Sequence, residues 1–189
     1  VKLEFNVPDE RLPWRALQDG RFDFALSVQV DERPGLYAEK LFDDDFVVVV
    51  RKDDPRFRKG IDLAAYVAAH HLLVTPFGGL TGIVDAALRE QGLARAVRLG
   101  CTQFSVAPWL LLESDLVLTL PRRAARLFAQ SLPLALHEPP IALPNFSVFA
   151  VWAERSQWDP AHRWLRHAFR EAITNRMKAS APAPSKTRR

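Results

Sequence analysis

CTQFSVAPWLLLESDLVLTLPRR, residues 101–123, is the stretch whose reading decides the fold. An apolar strand ends at Cys101, a polar loop and a short helix follow, and a second apolar strand occupies residues 116–120 before Pro121 opens another helix. Fourteen residues, 102–115, separate the two strands. That length suits a crossover helix between parallel strands and is too long for a tight hairpin. In open parallel sheets, ligands collect at the carboxyl ends of strands, where strand-to-helix loops lie. Two such loops fall here, 102–105 and 119–122. With Ser105 as N-cap, Pro108 would sit in the first helical turn, where its missing N–H costs little. A helix starting near Thr102 would carry Pro108 deeper, and both starts are open.

Outward from this stretch, strands and helices alternate. Upstream, VKLEFNV (1–7) alternates apolar and polar residues, the mark of a strand with one wet face at a sheet edge. This opening reads as the middle of a strand, so the natural sequence is expected to continue before Val1. Residues 13–19 form a short helix closed by Gly20. FDFALSV (22–28) is strand-like, with Phe22, Phe24, Leu26 and Val28 on one side, giving a tight βαβ unit. Residues 29–35 are turn chemistry. An extended segment, 36–42, and an acidic loop, 43–45, lead into FVVVV (46–50), a strand buried on both faces. A helix over 62–70 and a strand over 72–75 precede TPFGGLTG (75–82). The helix 83–91 presents Ile83, Val84, Ala87 and Leu88 as its apolar stripe and stops at Gly92. Strand 97–101 completes the approach to the opening stretch. Downstream come a helix over 121–130, strands at 134–137 and 146–152, and a last helix capped by Asp159 with Pro160 as its first residue. This order predicts an α/β protein with mainly parallel strands. About nine strands in 189 residues are many for one sheet, so two small sheets are expected.

Composition narrows the function classes. A hydrophobic content of 48% with 25% charged residues is that of an ordinary globular chain. The single cysteine, Cys101, excludes an intrachain disulfide and a multi-cysteine metal site. No run of about 18 apolar residues suggests a membrane span. The net charge of +4 could indicate nucleic-acid binding. Its distribution argues otherwise. Residues 176–189, RMKASAPAPSKTRR, carry five cations and no acid; removing those five from +4 leaves −1 for residues 1–175. A tail of this composition is expected to be disordered.

Searches for chemistry return little. GGLTG lacks the spacing and lysine of a phosphate loop. It offers backbone N–H groups at a helix start, suited to a carboxylate or other small anion, or else is a ligand-free turn. Ser105 and Ser114 lack a nucleophile-elbow context, and Cys101 at a strand end reads as a packing thiol. His70 and His71 are placed at a helix end, where they favour the dipole. His137, His162 and His167 are scattered, the last two on an exposed face. The triplet 43–45 reads as a solvated turn, lacking the ligand spacing of a calcium loop. Core packing is the default for Trp14, Trp109, Trp152, Trp158 and Trp164. Arg122 and Arg123 occupy a helix start, where the dipole disfavours cations. An anionic ligand, an acid across a cleft, or plain solvation would each accommodate them, and solvation is the simplest. No metal, cofactor or catalytic set is expected.

Four stretches together resemble the effector-binding region of LysR-type transcriptional regulators: ALQDGRFDFALSV (16–28), GLYAEKLFDDDFVVVVRKDDP (35–55), the segment 72–125 that includes DLVLTLPRR, and FSVFAVWAERSQWDPAHRWLRHAF (146–169). The order and spacing hold to about residue 175. The resemblance implies a periplasmic-binding-protein-like fold (type 2), with two Rossmann-like subdomains, a hinge and a cleft between them. Subdomain I would comprise residues 1–72 plus 150–175, lacking the family's first strand and helix. Subdomain II would be 73–149, and crossings near 71–73 and 148–152 would form the hinge. The implied effector-site residues are Val28 and Gln29, with Val30 beside them; Thr75, Pro76, Phe77, Gly78 and Gly79; Thr102, Gln103 and Phe104; and Leu120 and Pro121. The implied ligand is a small molecule, with an anion among the chemistries allowed. DNA would be reached only through an N-terminal winged helix-turn-helix that this sequence does not contain. A cytoplasmic homodimer or homotetramer without enzymatic activity is implied. The alternative on the same fold is a free solute-binding protein.

Overall fold

The computed structural model describes residues 1–8, 13–30 and 33–179. The chain divides into two units, one of residues 1–42 with 147–189 and one of residues 43–146.

The second unit is built on a five-stranded sheet. Its strands are β3 (Phe46–Arg51), β4 (His70–Val74), β5 (Ala96–Cys101), β6 (Val117–Pro121) and β7 (Leu134–His137), in the order β5-β4-β6-β3-β7. β4 runs parallel to β5 and β6, while β3 is antiparallel to both β6 and β7. The reading of FVVVV holds, since Val47 to Val50 are all at most 1% exposed. Alternation sends them to opposite layers. Val47 and Val49 pack with α4 (Ala107–Leu112) and α5 (Arg122–Ala129), through Ala107, Leu111 and Ala125. Val48 and Val50 pack with α2 (Leu63–Ala68) and α3 (Ile83–Glu90), through Tyr66, Val84 and Leu88. Each buried valine contributes up to about 1.5–3 kcal/mol, so this strand anchors both cores.

The first unit has a three-stranded sheet of β1 (Ala25–Ser27), β2 (Leu36–Asp44) and β8 (Phe146–Ala153), ordered β1-β8-β2. β1 pairs antiparallel with β8. Leu17 of α1 (Trp14–Gln18) is fully buried against Val151 and Ala153. The long helix α6 (Pro160–Ala179) starts where Asp159 caps it, its Oδ1 accepting from the His162 N–H at 2.7 Å. Gly20 turns the chain after α1 at φ 80°, and a Cβ there would meet the Arg155 guanidinium at 2.7 Å. That guanidinium donates to Leu17 O at 3.1 Å, so Gly20 is needed for both its backbone conformation and the space it leaves.

Several expectations are corrected. Residues 1–7 form no strand; Val1, Leu3, Phe5 and Val7 are 58–92% exposed. Alternation supplies an apolar face but no ladder partner. β1 is shorter than residues 22–28 and buries Ser27, while Leu26 and Val28 face solvent. β3 hydrogen-bonds within the five-stranded sheet, and the chain passes between the two units at Phe42/Asp43 and Phe146/Ser147. His70 and His71 lie in β4, not at the end of α2. Pro108 does sit in the first turn of α4, but with no side-chain cap from Ser105. α6 continues through residues 176–179 of the expected tail, and residues 180–189 lie outside the described residues, as do 31 and 32 of the expected turn. Trp109, Trp158 and Trp164 are more than half exposed, whereas Trp152 is buried. His162 is also buried, with its Nε2 2.8 Å from Asp23 O.

Candidate functional site

The parallel run of β4, β5 and β6 brings their carboxyl ends to one edge of the second unit. Val74 pairs with Cys101, and Pro121 at the end of β6 faces Phe46 at the start of β3. The loops carrying Thr75, Pro76, Phe77, Gly78 and Gly79, and Thr102, Gln103 and Phe104, therefore emerge side by side. Phe77 is 45% exposed and Phe104 36%. Val28 and Gln29 belong to the first unit, where the Gln29 N–H donates to Ser27 Oγ at 3.0 Å.

The loop after β4 is tied down along its length. The Thr75 N–H donates to Cys101 O at 2.9 Å, the Thr75 hydroxyl to Gly79 O at 3.0 Å, and the Gly78 N–H to Thr75 O at 2.9 Å. Leu80 then lies over Gly100, where a Cβ would approach the Leu80 side chain to 2.7 Å. At the end of β5 the Cys101 thiol donates to Gln103 O at 3.6 Å. The thiol of Cys101 and the hydroxyl of Thr75 thus meet carbonyls rather than a base. Leu120 is 1% exposed and packs toward α4 and α5, so it offers this edge its backbone only. Among the described residues, no group of three or more His, Cys, Asp or Glu could hold a metal ion.

The two arginines of α5 are not solvated as expected. The Arg122 Nε donates to Asp45 at 2.5 Å, its two Nη atoms donate to both carboxylate oxygens of Glu138 at 2.7 Å, and its backbone N–H donates to Asp45 O at 2.8 Å. These bonds hold the Glu138 carboxyl below its usual range. The Arg123 backbone N–H donates to Asp44, and its guanidinium to Asp43 O at 3.3 Å. The acidic triplet is therefore the counter-charge that lets two cations start a helix. It is not a solvated turn.

The second unit also holds a polar network that the sequence reading did not assemble. The Arg95 side chain, 1% exposed, forms a bidentate pair with Asp85, both bonds at 2.9 Å. Asp85 Oδ2 also accepts from the Gly82 N–H at 2.7 Å, closing the turn into α3. Burial raises the Asp85 carboxyl, but the Arg95 hydrogen bonds and charge, with the Gly82 bond, bring it below the usual carboxylate range. Beside Arg95, His71 is fully buried, with Nε2 2.8 Å from Tyr66 O and Nδ1 3.4 Å from Arg95. The Tyr66 hydroxyl lies 2.7 Å from Thr119 Oγ1 on β6. Asp85 at the third position of its helix carried a capping signal; Arg95 and His71 carried none. Within GGLTG the N–H groups of Gly78 and Gly82 are engaged internally, by Thr75 O and by Asp85. What remains at this edge is a neutral rim of hydroxyl, amide and phenyl groups, suited to binding.

Comparison with known proteins points one way. The LysR substrate binding domain family model matches residues 1–174. The HTH-type transcriptional regulator SyrM 1 of Sinorhizobium fredii is 31% identical over 171 residues, covering 89% of this chain and 50% of that protein. The crystal structure of the probable transcriptional regulator PA0477 of Pseudomonas aeruginosa is similar at a TM-score of 0.73 and 35% identity, over 84% of this chain and 52% of that one. The regulatory domain of MexT, a transcriptional activator in Pseudomonas aeruginosa, gives 0.71 and 27%, over 83% and 76%. This chain spans about half the length of the first curated relatives it matches. The two-sheet α/β architecture is thus that of LysR regulatory domains, a periplasmic-binding-protein-like fold.

Proposed function

Because this chain belongs to the LysR substrate binding domain family, we propose that it is the effector-sensing part of a bacterial LysR-type transcription regulator, acting by ligand binding rather than by catalysis. The observation that carries the reading is the convergence of the 75–79 and 102–104 loops at one edge of the second unit's sheet, where the Thr75 N–H donates to Cys101 O. In this reading Thr102, Gln103 and Phe104 form one wall of the effector site, Thr75 to Gly79 its neighbour, and Pro121 with the Leu120 backbone its floor. Val28 and Gln29, on the first unit, complete the residues of this reading. The ligand is a small molecule met by neutral donors; a carboxylate is accommodated through the Thr102 hydroxyl and the Gln103 amide. Arg122 and Arg123 are not its counter-charges, since acids of the same unit hold them.

Effector binding acts by differing in strength between two arrangements of the regulator, which shifts how its DNA-binding part meets an operator. DNA contact belongs to a helix-turn-helix part of the full-length regulator, and assembly is as a homodimer or homotetramer in the cytoplasm. No helix among the described residues is long and apolar enough to cross a membrane. The test is a thermal-shift screen of small carboxylates and neutral aromatics, followed by titration of any hit. Gln103→Ala and Thr102→Val are expected to weaken a confirmed ligand without lowering the ligand-free melting temperature. Undiminished binding in both variants rejects this site.

A further inference from the structure

On the first unit, β2 and α6 flank an open cavity of about 480 Å³ lined by Glu39, Arg163, Trp164, Arg166, His167 and Arg170. Its volume lies in the usual range for small-ligand sites, and its charges are unevenly satisfied. Arg170 is paired with Glu39 and also meets His167 Nδ1 at 3.1 Å, while His167 Nε2 lies 3.2 Å from Glu171. Those groups are neutralised locally.

Arg166 is not. Its guanidinium lies 4.3 Å over the Trp152 ring and donates to Ser156 O and Gln157 O at 3.2 Å, and to His162 Nδ1. All of these acceptors are neutral, although an arginine keeps its charge in a protein. Burial is the main influence lowering its proton affinity, and the neighbouring charge of Arg163 adds to it, against the charges of Glu39 and Asp159, neither of which hydrogen-bonds the guanidinium. Arg163, on the same helix face, makes no side-chain hydrogen bond or ion pair among the described residues. Between them Trp164 leaves 56% of its surface to solvent, whereas Phe169 on the same helix packs edge-on against Phe24 at 5.2 Å. Two guanidinium groups without a direct carboxylate contact, beside an exposed indole, form a combination that recognises an anion through charge-assisted hydrogen bonds and a flat ring by stacking.

We infer that this cavity is a second ligand site, distinct from the loops of the second unit, that takes a small aromatic carboxylate held by Arg163 and Arg166 with its ring on Trp164. The site lies wholly within one unit and does not depend on the effector reading above. Arg163 and Trp164 are exposed, so replacing them leaves the packing of α6 intact, which far-ultraviolet circular dichroism verifies.

The experiment follows the indole N–H resonances of the 189-residue chain during titration with benzoate; the Trp164 signal is assigned from Trp164→Phe. A saturable shift of that signal is expected, with affinity reduced about fivefold or more in Arg163→Gln. Cyclohexanecarboxylate, lacking the ring, and benzyl alcohol, lacking the charge, are expected to bind about fivefold or more weakly. A shift that does not saturate, an affinity unchanged in Arg163→Gln, or equal binding of benzyl alcohol overturns the proposal. Loss of the Trp164 shift in Gln103→Ala, which alters only the other unit, overturns it as well.

Discussion

His71 makes the stability of the second unit dependent on pH in a range where most carboxylates are silent. The imidazole is fully buried, and its Nε2–H donates to Tyr66 O at 2.8 Å, which leaves Nδ1 to accept from Arg95 at 3.4 Å. A second proton would be desolvated and would point at a guanidinium. Burial, with the Arg95 charge adding to it against the opposing Tyr66 hydrogen bond, lowers the His71 pKa from 6.5 to about 4. The unfolded chain, titrating near 6.5, takes up that proton first. The contribution is therefore complete above pH 6.5 and is lost as pH falls from there toward 4. Between pH 7 and pH 5 the loss comes to about 2 kcal/mol, a sizeable part of a typical domain stability of about 5–15 kcal/mol. Hydrogen exchange of the Val48 and Val49 amides reads this out, since both residues lie on an interior strand of the sheet and are fully buried. After correction for intrinsic exchange rates, their protection free energy is expected to drop by about that 2 kcal/mol in the native chain and by much less in His71→Gln. Equal pH dependence in the two proteins would refute the assignment.

Three further outcomes follow from the ion pairs and caps. Arg95→Met strands Asp85 in a nearly closed environment and is expected to cost about 3–5 kcal/mol in urea unfolding; combined with Asp85→Asn it should cost less than the two separate losses added together, and strict additivity would show that the pair is not coupled. Arg122→Ala removes a pair whose acids, Asp45 and Glu138, have side chains 43% and 75% exposed, so a loss of about 1 kcal/mol is expected, shrinking in high salt; a salt-independent loss would point to packing instead. Asp159→Ala deletes the α6 cap and is expected to cost about 1 kcal/mol, seen as a lower melting temperature, with a threonine at 159 restoring most of it.

What could be read from the sequence was whatever a local pattern determines. The valine run, the α3 stripe, the Asp159 cap and the carboxyl-end loops are each set by neighbours within one element, and the structure keeps them. Strand direction was not local. β3 and β7 read as members of a mainly parallel set, yet β3 is antiparallel to both of its neighbours, because direction depends on which strand lies alongside. The alternation of residues 1–7 shows the same limit from the other side. It is a faithful strand pattern that pairs with nothing, since amphipathic spacing prepares a face without supplying the hydrogen-bonding partner.

The candidate site divides along the same line. The loops of the proposed rim are legible because strand ends and glycines mark them in sequence. The polar pairs of the same unit were missed because their partners are far apart along the chain: Arg122 meets Asp45 at a separation of 77 residues, and Arg95 meets His71 at 24. These contacts also settle the chemistry that the sequence left open. Two arginines beside a helix start could have been ligands for an anion. Once Asp45 and Glu138 are seen to engage Arg122, and Asp43 and Asp44 to engage Arg123, the cations become part of the scaffold. In the effector-site reading proposed above, the edge they border meets its ligand through shape, ring contact and neutral hydrogen bonds. Arg166, by contrast, was hidden in an ordinary helical stripe, and its direct hydrogen-bond acceptors are carbonyls and an imidazole, with an indole under its plane. Its nearest acids, Glu39 and Asp159, act on it through charge alone, with no hydrogen bond to the guanidinium, and that is why the proposed second site places an anion on α6 of the first unit.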